Sequence, residues 1–183
     1  VLDSDLIRLF RSTLMSGLAL AGWNYPVVQR SQSTQQGIPT ENTVYFQKLF
    51  DYRYGMPCMI TTVGTPTAAQ NTETTTQNME TTFQVSALTI LTPSMTVDQV
   101  TASDISNYLA NILQRRDTIR KMLASNNVNV LRIQKIDNTY FEDDRHRNEA
   151  WPTFEVVLTH QTVTSVAVDN TNTVVQNVYQ VPD

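Results

Sequence analysis

The sequence is poor in the residues that most protein chemistry requires. Its 183 residues include one cysteine, Cys58, two histidines, His146 and His160, and only five glycines. One cysteine excludes a disulfide within the chain, and a lone thiol fits a reducing compartment. Cys58 lies beside Pro57 in an apolar stretch, so a buried, unreactive thiol is expected. With so few glycines there is little material for a backbone phosphate cradle. No phosphate-loop, dinucleotide-binding or Gly-x-Ser-x-Gly pattern occurs. Charge is also scarce: Asp, Glu, Lys and Arg make up 16% of the chain, against a usual value of about 25%. The net charge of -4 argues against a general nucleic-acid binder, which presents a basic face. An acidic wall would instead repel phosphate and let a duplex slide past. The longest apolar stretch, around Leu14 to Trp23, is interrupted by Ser16 and Gly17. It reads as neither a membrane span nor a secretory signal.

Thr, Asn and Gln take the place of the missing charge, dominating residues 61 to 82 and 159 to 180. Thr is β-branched and suits pleated surfaces. Uncharged polar groups also cost less to desolvate than Lys or Glu, which favours lasting contacts between subunits.

The pattern predicts a helix over residues 3–21, with Asp3, Ser4 and Asp5 capping its start and Gly22 ending it. Leu6, Leu9, Phe10, Leu14, Leu18 and Ala21 form its apolar stripe. A short β segment is read at 25–29. A strand follows at 43–54, broken at Gly55-Met56-Pro57 and resumed at 58–63. Residues 64–78 read as a long polar loop or arm. Residues 79–92 alternate as a strand, with Phe83, Val85 and Ala87 on one side. A second helix, about 33 Å long, is expected over 103–124, capped by residues 101–104. Asn126 and Asn127 end it. Strands are expected at 128–136, at 151–168 (one long strand or a hairpin) and at 174–181. Strand runs between two amphipathic helices imply one α+β domain over 1–183, mainly an antiparallel sheet flanked by those helices.

The one concentrated set of ionisable groups is Glu142, Asp143, Asp144, Arg145, His146, Arg147 and Glu149. Glu142, Asp143, Asp144 and His146 carry metal-ligand atoms, and a metal-dependent hydrolase is the enzymatic alternative. Neighbours on one loop rarely converge on an ion, however, and Arg145 and Arg147 compete for the carboxylates. A loop facing solvent or another subunit is therefore preferred, with no metal and no cofactor. His160 reads as a plain strand position. Aromatic residues cluster in the first third. Phe46 and Trp23 are assigned to the core, whereas Tyr52 and Tyr54, flanking Arg53, are interface candidates. A binding domain using Tyr52 and Tyr54 is the third reading.

One segment resembles a known family. Asn24-Tyr25-Pro26-Val27-Val28-Gln29 is followed by the run Gln36-Gly37-Ile38-Pro39-Thr40-Glu41-Asn42-Thr43-Val44-Tyr45-Phe46. This is similar to the opening of the neck, tail-terminator or gateway proteins of contractile-tailed bacteriophages. There too a polar loop with Gln and then Pro leads into the first long strand. The resemblance implies a tail-terminator-like fold and a structural, non-enzymatic role. It implies a homo-oligomeric ring, six copies in the typical member, that terminates the tail tube and joins it to the head connector. Neighbours would be other neck or collar proteins and the tail tube or sheath. Genomic DNA would pass through without sequence-specific binding, and no membrane would be involved. The location implied is the virion neck, after assembly in the host cytoplasm. Collar, stopper and tail-tube roles are the alternatives within that class. Tyr52, Arg53, Tyr54, Glu142, Asp143, Asp144, Arg145, Arg147 and Glu149 would then face a neighbour or the lumen.

Overall fold

The computed structural model describes residues 1–30, 41–62, 70–90, 99–142 and 148–169. The elements run α1 (Asp3–Leu20), β1 (Val27–Gln29), β2 (Thr43–Thr62), β3 (Gln70–Leu88), α2 (Ala102–Gln114), α3 (Arg116–Asn126), β4 (Asn129–Glu142) and β5 (Asn148–Asp169). The strands form one sheet in the order β1-β2-β3-β5-β4. β1 pairs with β2 in parallel, and every other pairing is antiparallel. The fold is α+β with a mainly antiparallel sheet, as the periodicity indicated.

α1 buries Leu6, Phe10, Leu14 and Leu18, the residues at helical spacing. Leu2, with extended backbone, is the N-cap and makes no side-chain capping bond. The expected caps Asp3 and Asp5 instead lie in the first turn, where their charge favours the helix dipole. At the other end, Gly22 N–H donates to Ala19 O and Trp23 N–H to Leu18 O, both at 3.0 Å. This is a Schellman closure with Gly22 left-handed at φ +76°. A Cβ on Gly22 would meet nothing within 4 Å, so a substitution there is resisted by backbone conformation alone. Gly22→Ala is expected to cost about 1 kcal/mol, read from urea unfolding. Gly22→Asn should recover part of the loss, because Asn tolerates this region better.

α2 begins with the capping predicted for residues 101–104. The Asp104 amide donates to Thr101 Oγ1 (3.1 Å), and the Thr101 amide donates to Asp104 Oδ2 (3.0 Å). The Thr101 hydroxyl also donates to Asp104 Oδ2 at 2.7 Å, and this bond, followed by that from the Thr101 amide, holds the Asp104 carboxyl below its usual range. The single helix expected over 103–124 is two helices, broken where Arg115 turns extended (φ −66°, ψ 135°). The reason lies in the apolar stripe. After Leu113 an unbroken helix would turn Arg116 and Asp117 toward the sheet. The break re-aims α3 so that Met122 is buried instead. Asn127, left-handed at φ 54°, ends α3 as read from the sequence.

The core lies between the helices and one face of the sheet. Phe83, Val85, Ala87, Phe154, Val156 and Leu158 meet Phe10, Leu14, Ile105 and Leu109 there. Phe10 stacks on Phe83 (centroids 4.6 Å apart) and meets Phe46 edge-on at 5.8 Å. α1 crosses α2 closely at Gly17, where a Cβ would stand 2.9 Å from Ile112 Cγ2.

Three strand expectations need correction. Residues 55–57 do not end a strand: β2 runs through them as a bulge between Tyr54 and Cys58, with Gly55 at φ +71°. Pro57 is tolerated there because a bulge on an edge strand asks for no ladder donor. The long polar loop is largely strand, since Gln70–Asn78 pair with β2 on one side and β5 on the other. The strand expected at 128–136 continues to Glu142 as β4, while residues 151–168 form one long strand, the first of the two expected forms. The expected strand at 174–181 lies outside the described residues.

Candidate functional site

Among the described residues, helices cover only the first part of β2 and β5 and the last part of β3. Beyond Lys48, Thr81 and His160 these strands continue as a three-stranded arm made of residues 49–62, 70–80 and 161–169. At strand rise its length is roughly 35 Å. Every residue of β2 from Leu49 onward is exposed.

Register settles which side chains share a face. Phe50, Tyr52, Tyr54, Cys58 and Ile60 oppose Thr82, Glu80, Asn78, Thr76 and Thr74 of β3, and so form one column on the face away from the helices. Phe50 is 57% exposed, Tyr52 60% and Met56, in the bulge, 94%. Arg53 opposes Met79, on the helix-side face. On the outer strand Val163, Val166 and Val168 are exposed as well. Val163 opposes Thr76 and shares the tyrosine face, whereas Val166 and Val168 oppose Glu73 and Asn71 on the other face. Exposed apolar side chains gathered on one arm mark contact with another molecule.

The predicted trio therefore splits: Tyr52 and Tyr54 share a face with Phe50, and Arg53 points the other way. Cys58, expected to be buried, is exposed on the arm. Its apolar neighbours Met56, Met59 and Ile60 are exposed too, so hydrophobicity misreported its depth. Glu142 and Glu149 lie at the end of the β4–β5 hairpin, where Glu142 pairs with Asn148 and Glu149 with Phe141. Asp143, Asp144, Arg145, His146 and Arg147 lie outside the described residues. Among the described residues no group of three His, Cys, Asp or Glu stands close enough to hold a metal.

Sequence reasoning missed a polar rung at the base of the arm. His160 Nε2 lies 2.9 Å from Thr81 Oγ1, which donates to Asp51 Oδ1 at 2.6 Å. Asp51 Oδ2 pairs with Lys48 Nζ at 2.6 Å, and Lys48 reaches Asp3 Oδ1 at 2.5 Å. The rung ties β5, β3, β2 and the start of α1 together where the apolar core stops. Because the Thr81 hydroxyl hydrogen goes to Asp51, its oxygen must accept from His160 Nε2–H. Among the described residues, Nδ1 is then buried with no hydrogen-bond partner. Burial first, then the positive Val1 amino group, lowers the His160 pKa, outweighing the opposite pull of Asp51. Burial tends to raise the Asp51 pKa, but hydrogen bonds from Lys48 and Thr81 win and lower it. Burial likewise opposes the charge on Lys48, yet its bonds to Asp3 and Asp51 raise its pKa. His160 faces the Thr81 hydroxyl, with the Asp51 carboxylate beyond it. The rung reads as a brace for the arm. The i, i+2 spacing of Phe50, Tyr52 and Tyr54 is the sequence signal for the apolar column. No local signal brings His160 to Thr81, 79 positions away.

A family model described as the E217 gateway protein gp29 matches residues 5–170 of the chain. That span runs from the first turn of α1 to the end of β5. No curated protein matches.

Proposed function

The chain belongs to the E217 gateway protein family, a family of phage neck structural proteins, and on that premise we propose that copies of it form a ring in the virion neck. The ring terminates the tail tube and joins it to the head connector, leaving a central passage for the genome. Six copies make the ring, and collar, tail-tube or sheath proteins are its neighbours above and below. It assembles in the host cytoplasm as a single domain, catalyses nothing and holds no cofactor.

The observation that carries this reading is the arm, which presents aromatic and aliphatic side chains to solvent on a scale that a lone monomer would not retain. Tyr52, Tyr54 and Arg53 contact a neighbouring copy. The charged segment Glu142, Asp143, Asp144, Arg145, Arg147 and Glu149 faces an adjacent ring or the passage, where mixed signs support salt bridges between copies. The net charge of -4 suits a passage that repels phosphate and so does not hold DNA.

Imaging of tailed particles tests the assignment. The chain should appear as a closed ring at the head–tail junction, coaxial with the DNA. A position off that axis, or a monomer in the particle, defeats the reading. Tyr52→Asp combined with Tyr54→Asp should lower the fraction of purified chain in oligomers at least 10-fold in native mass measurements, while the melting temperature stays within a few degrees. An unchanged oligomer would remove these tyrosines from the interface.

A further inference from the structure

Among the described residues, the arm has two open edges. On one side β1 pairs with β2 only at Val44, Tyr45 and Phe46. On the other, β4 pairs with β5 no farther along than Thr159. Among the described residues, no strand pairs with the outer edge of β2 beyond Phe46's neighbourhood, and past Gln161, which accepts from Val1, nothing pairs with that of β5. Soluble proteins usually blunt such edges with Lys, Pro or a bulge. β2 carries a bulge and Pro57. From Thr162 to Val168, β5 reads Thr-Val-Thr-Ser-Val-Ala-Val, with no charge, no proline and no glycine. This is an unprotected template for strand addition.

Two observations show which β5 groups point outward. The backbone nitrogen of Val1 donates to Gln161 O at 2.6 Å. Ser165 Oγ lies 3.1 Å from Thr74 Oγ1 of its partner strand, the close approach of a pair that exchanges no backbone hydrogen bonds. By alternation Gln161, Val163, Ser165 and Ala167 turn their N–H and C=O away from β3. Val163, Ser165 and Ala167 are left to receive a strand.

We infer that the open edge of β5 on one copy receives the open edge of β2 from the next copy, joining the arms of successive subunits into one continuous sheet. This rests on the assembly reading above and names its contact. The two open edges lie on opposite sides of the same three strands, so one contact repeated head to tail occupies both. An isologous β5–β5 pair would leave both β2 edges bare, and an unrelated partner would satisfy one edge only. Repetition by rotation closes into a ring, which alone leaves no edge. β2 and β5 both run antiparallel to β3. They are therefore parallel to each other, and subunits pointing the same way meet through parallel strands.

The native Cys58 supplies the test. Cys58 pairs with Thr76, and Thr76 with Val163, so Cys58 and Val163 share a rung and a face. Between copies related by rotation, Cys58 of one should lie beside residues 161 to 165 of the next, offset by strand tilt. Adjacent strands are about 4.8 Å apart, within disulfide reach. After diamide oxidation of the full chain, Gln161→Cys, Val163→Cys or Ser165→Cys should give covalent multimers that climb rung by rung to the ring size. Thr162→Cys and Thr164→Cys, on the opposite face, should give at least 10-fold less. The unsubstituted chain, with Cys58 alone, can give dimers at most. Ser165→Pro should abolish oligomers yet keep the far-ultraviolet spectrum, because the N–H it removes points away from β3. Oligomers in native mass spectra without cross-links from any of the three same-face variants would overturn the edge contact while leaving ring assembly standing. A chain that stays monomeric at every concentration would overturn both.

Discussion

Phe10→Ala is expected to remove about 3–5 kcal/mol of folding stability, the range for emptying a large aromatic site in a core. Phe10 is fully buried. It stacks on Phe83 and meets Phe46 edge-on, so truncation loses both ring contacts along with the transfer free energy. Relaxation is hindered from both sides. Phe83 and Phe46 are held by the β2–β3 ladder through Phe46↔Val85 and Lys48↔Phe83, and α1 is held against α2 by the close contact of Gly17 with Ile112. A domain of this kind has about 5–15 kcal/mol in total, so the variant should sit near its unfolding threshold. Urea denaturation followed by far-ultraviolet circular dichroism gives the number. Leu20→Ala, on the same helix but 70% exposed, should stay within about 0.5 kcal/mol of the parent. Equal losses for the two variants would mean that α1 does not seat on the sheet as described.

Thr81→Val should have the next largest effect, about 1–3 kcal/mol near neutral pH. The substitution keeps the β-branched shape and removes only the hydroxyl. His160 Nε2–H then loses its acceptor, with Nδ1 already unpartnered among the described residues, and Asp51 loses a 2.6 Å donor. Thr81→Ser keeps the hydroxyl and should recover most of the loss, which separates the bond from packing.

The rung also sets a pH dependence. His160 titrates below its ordinary value of 6.5 in the folded chain. As pH falls through 6.5 the unfolded chain takes up the proton first, and stability declines from there until the folded pKa is reached. Asp51 is held below 3.8, so its contribution is present above that value and is lost as pH falls through the lower folded pKa. Lys48 is raised above 10.5, so its contribution is full below that value and is lost as pH rises through the higher folded pKa. Stability should thus plateau between about pH 6.5 and 10.5 and fall in two steps on the acid side. In Thr81→Val the Asp51 pKa moves up toward 3.8, and the lower acid step should shrink. Urea midpoints collected from pH 3 to 9 would show this. A lower step of the same size in both proteins would mean that the Thr81 bond does not act on Asp51.

Much of this molecule was legible residue by residue. Leu6, Phe10, Leu14 and Leu18 announce α1 by spacing. Phe83, Val85 and Ala87 announce a half-buried strand, and Val128 and Val130 announce where β4 meets the core. Thr101 and Asp104, Gly22 and Asn127 mark helix ends, because capping is settled within a few residues of chain. The polar 24–46 run carried the family resemblance, although residues 31–40 of it lie outside the described residues. Local signals misled where burial and strand formation part company. Residues 70–78 lack the apolar side chains that mark a strand in sequence, but a strand paired on both sides with two exposed faces needs none. Thr serves it by backbone preference alone.

The sequence alone thus determined the helices' faces, the strand-forming segments and the poverty of catalytic groups, since each depends on neighbours within a turn or a hairpin's reach. Tertiary structure decided the strand order β1-β2-β3-β5-β4, the break at Arg115, the exposure of Cys58 and the joining of Lys48, Asp51, Thr81 and His160 into one rung. These depend on which distant strands share a register. Pairing energy of that kind is summed over whole ladders and is written at no single position of the chain.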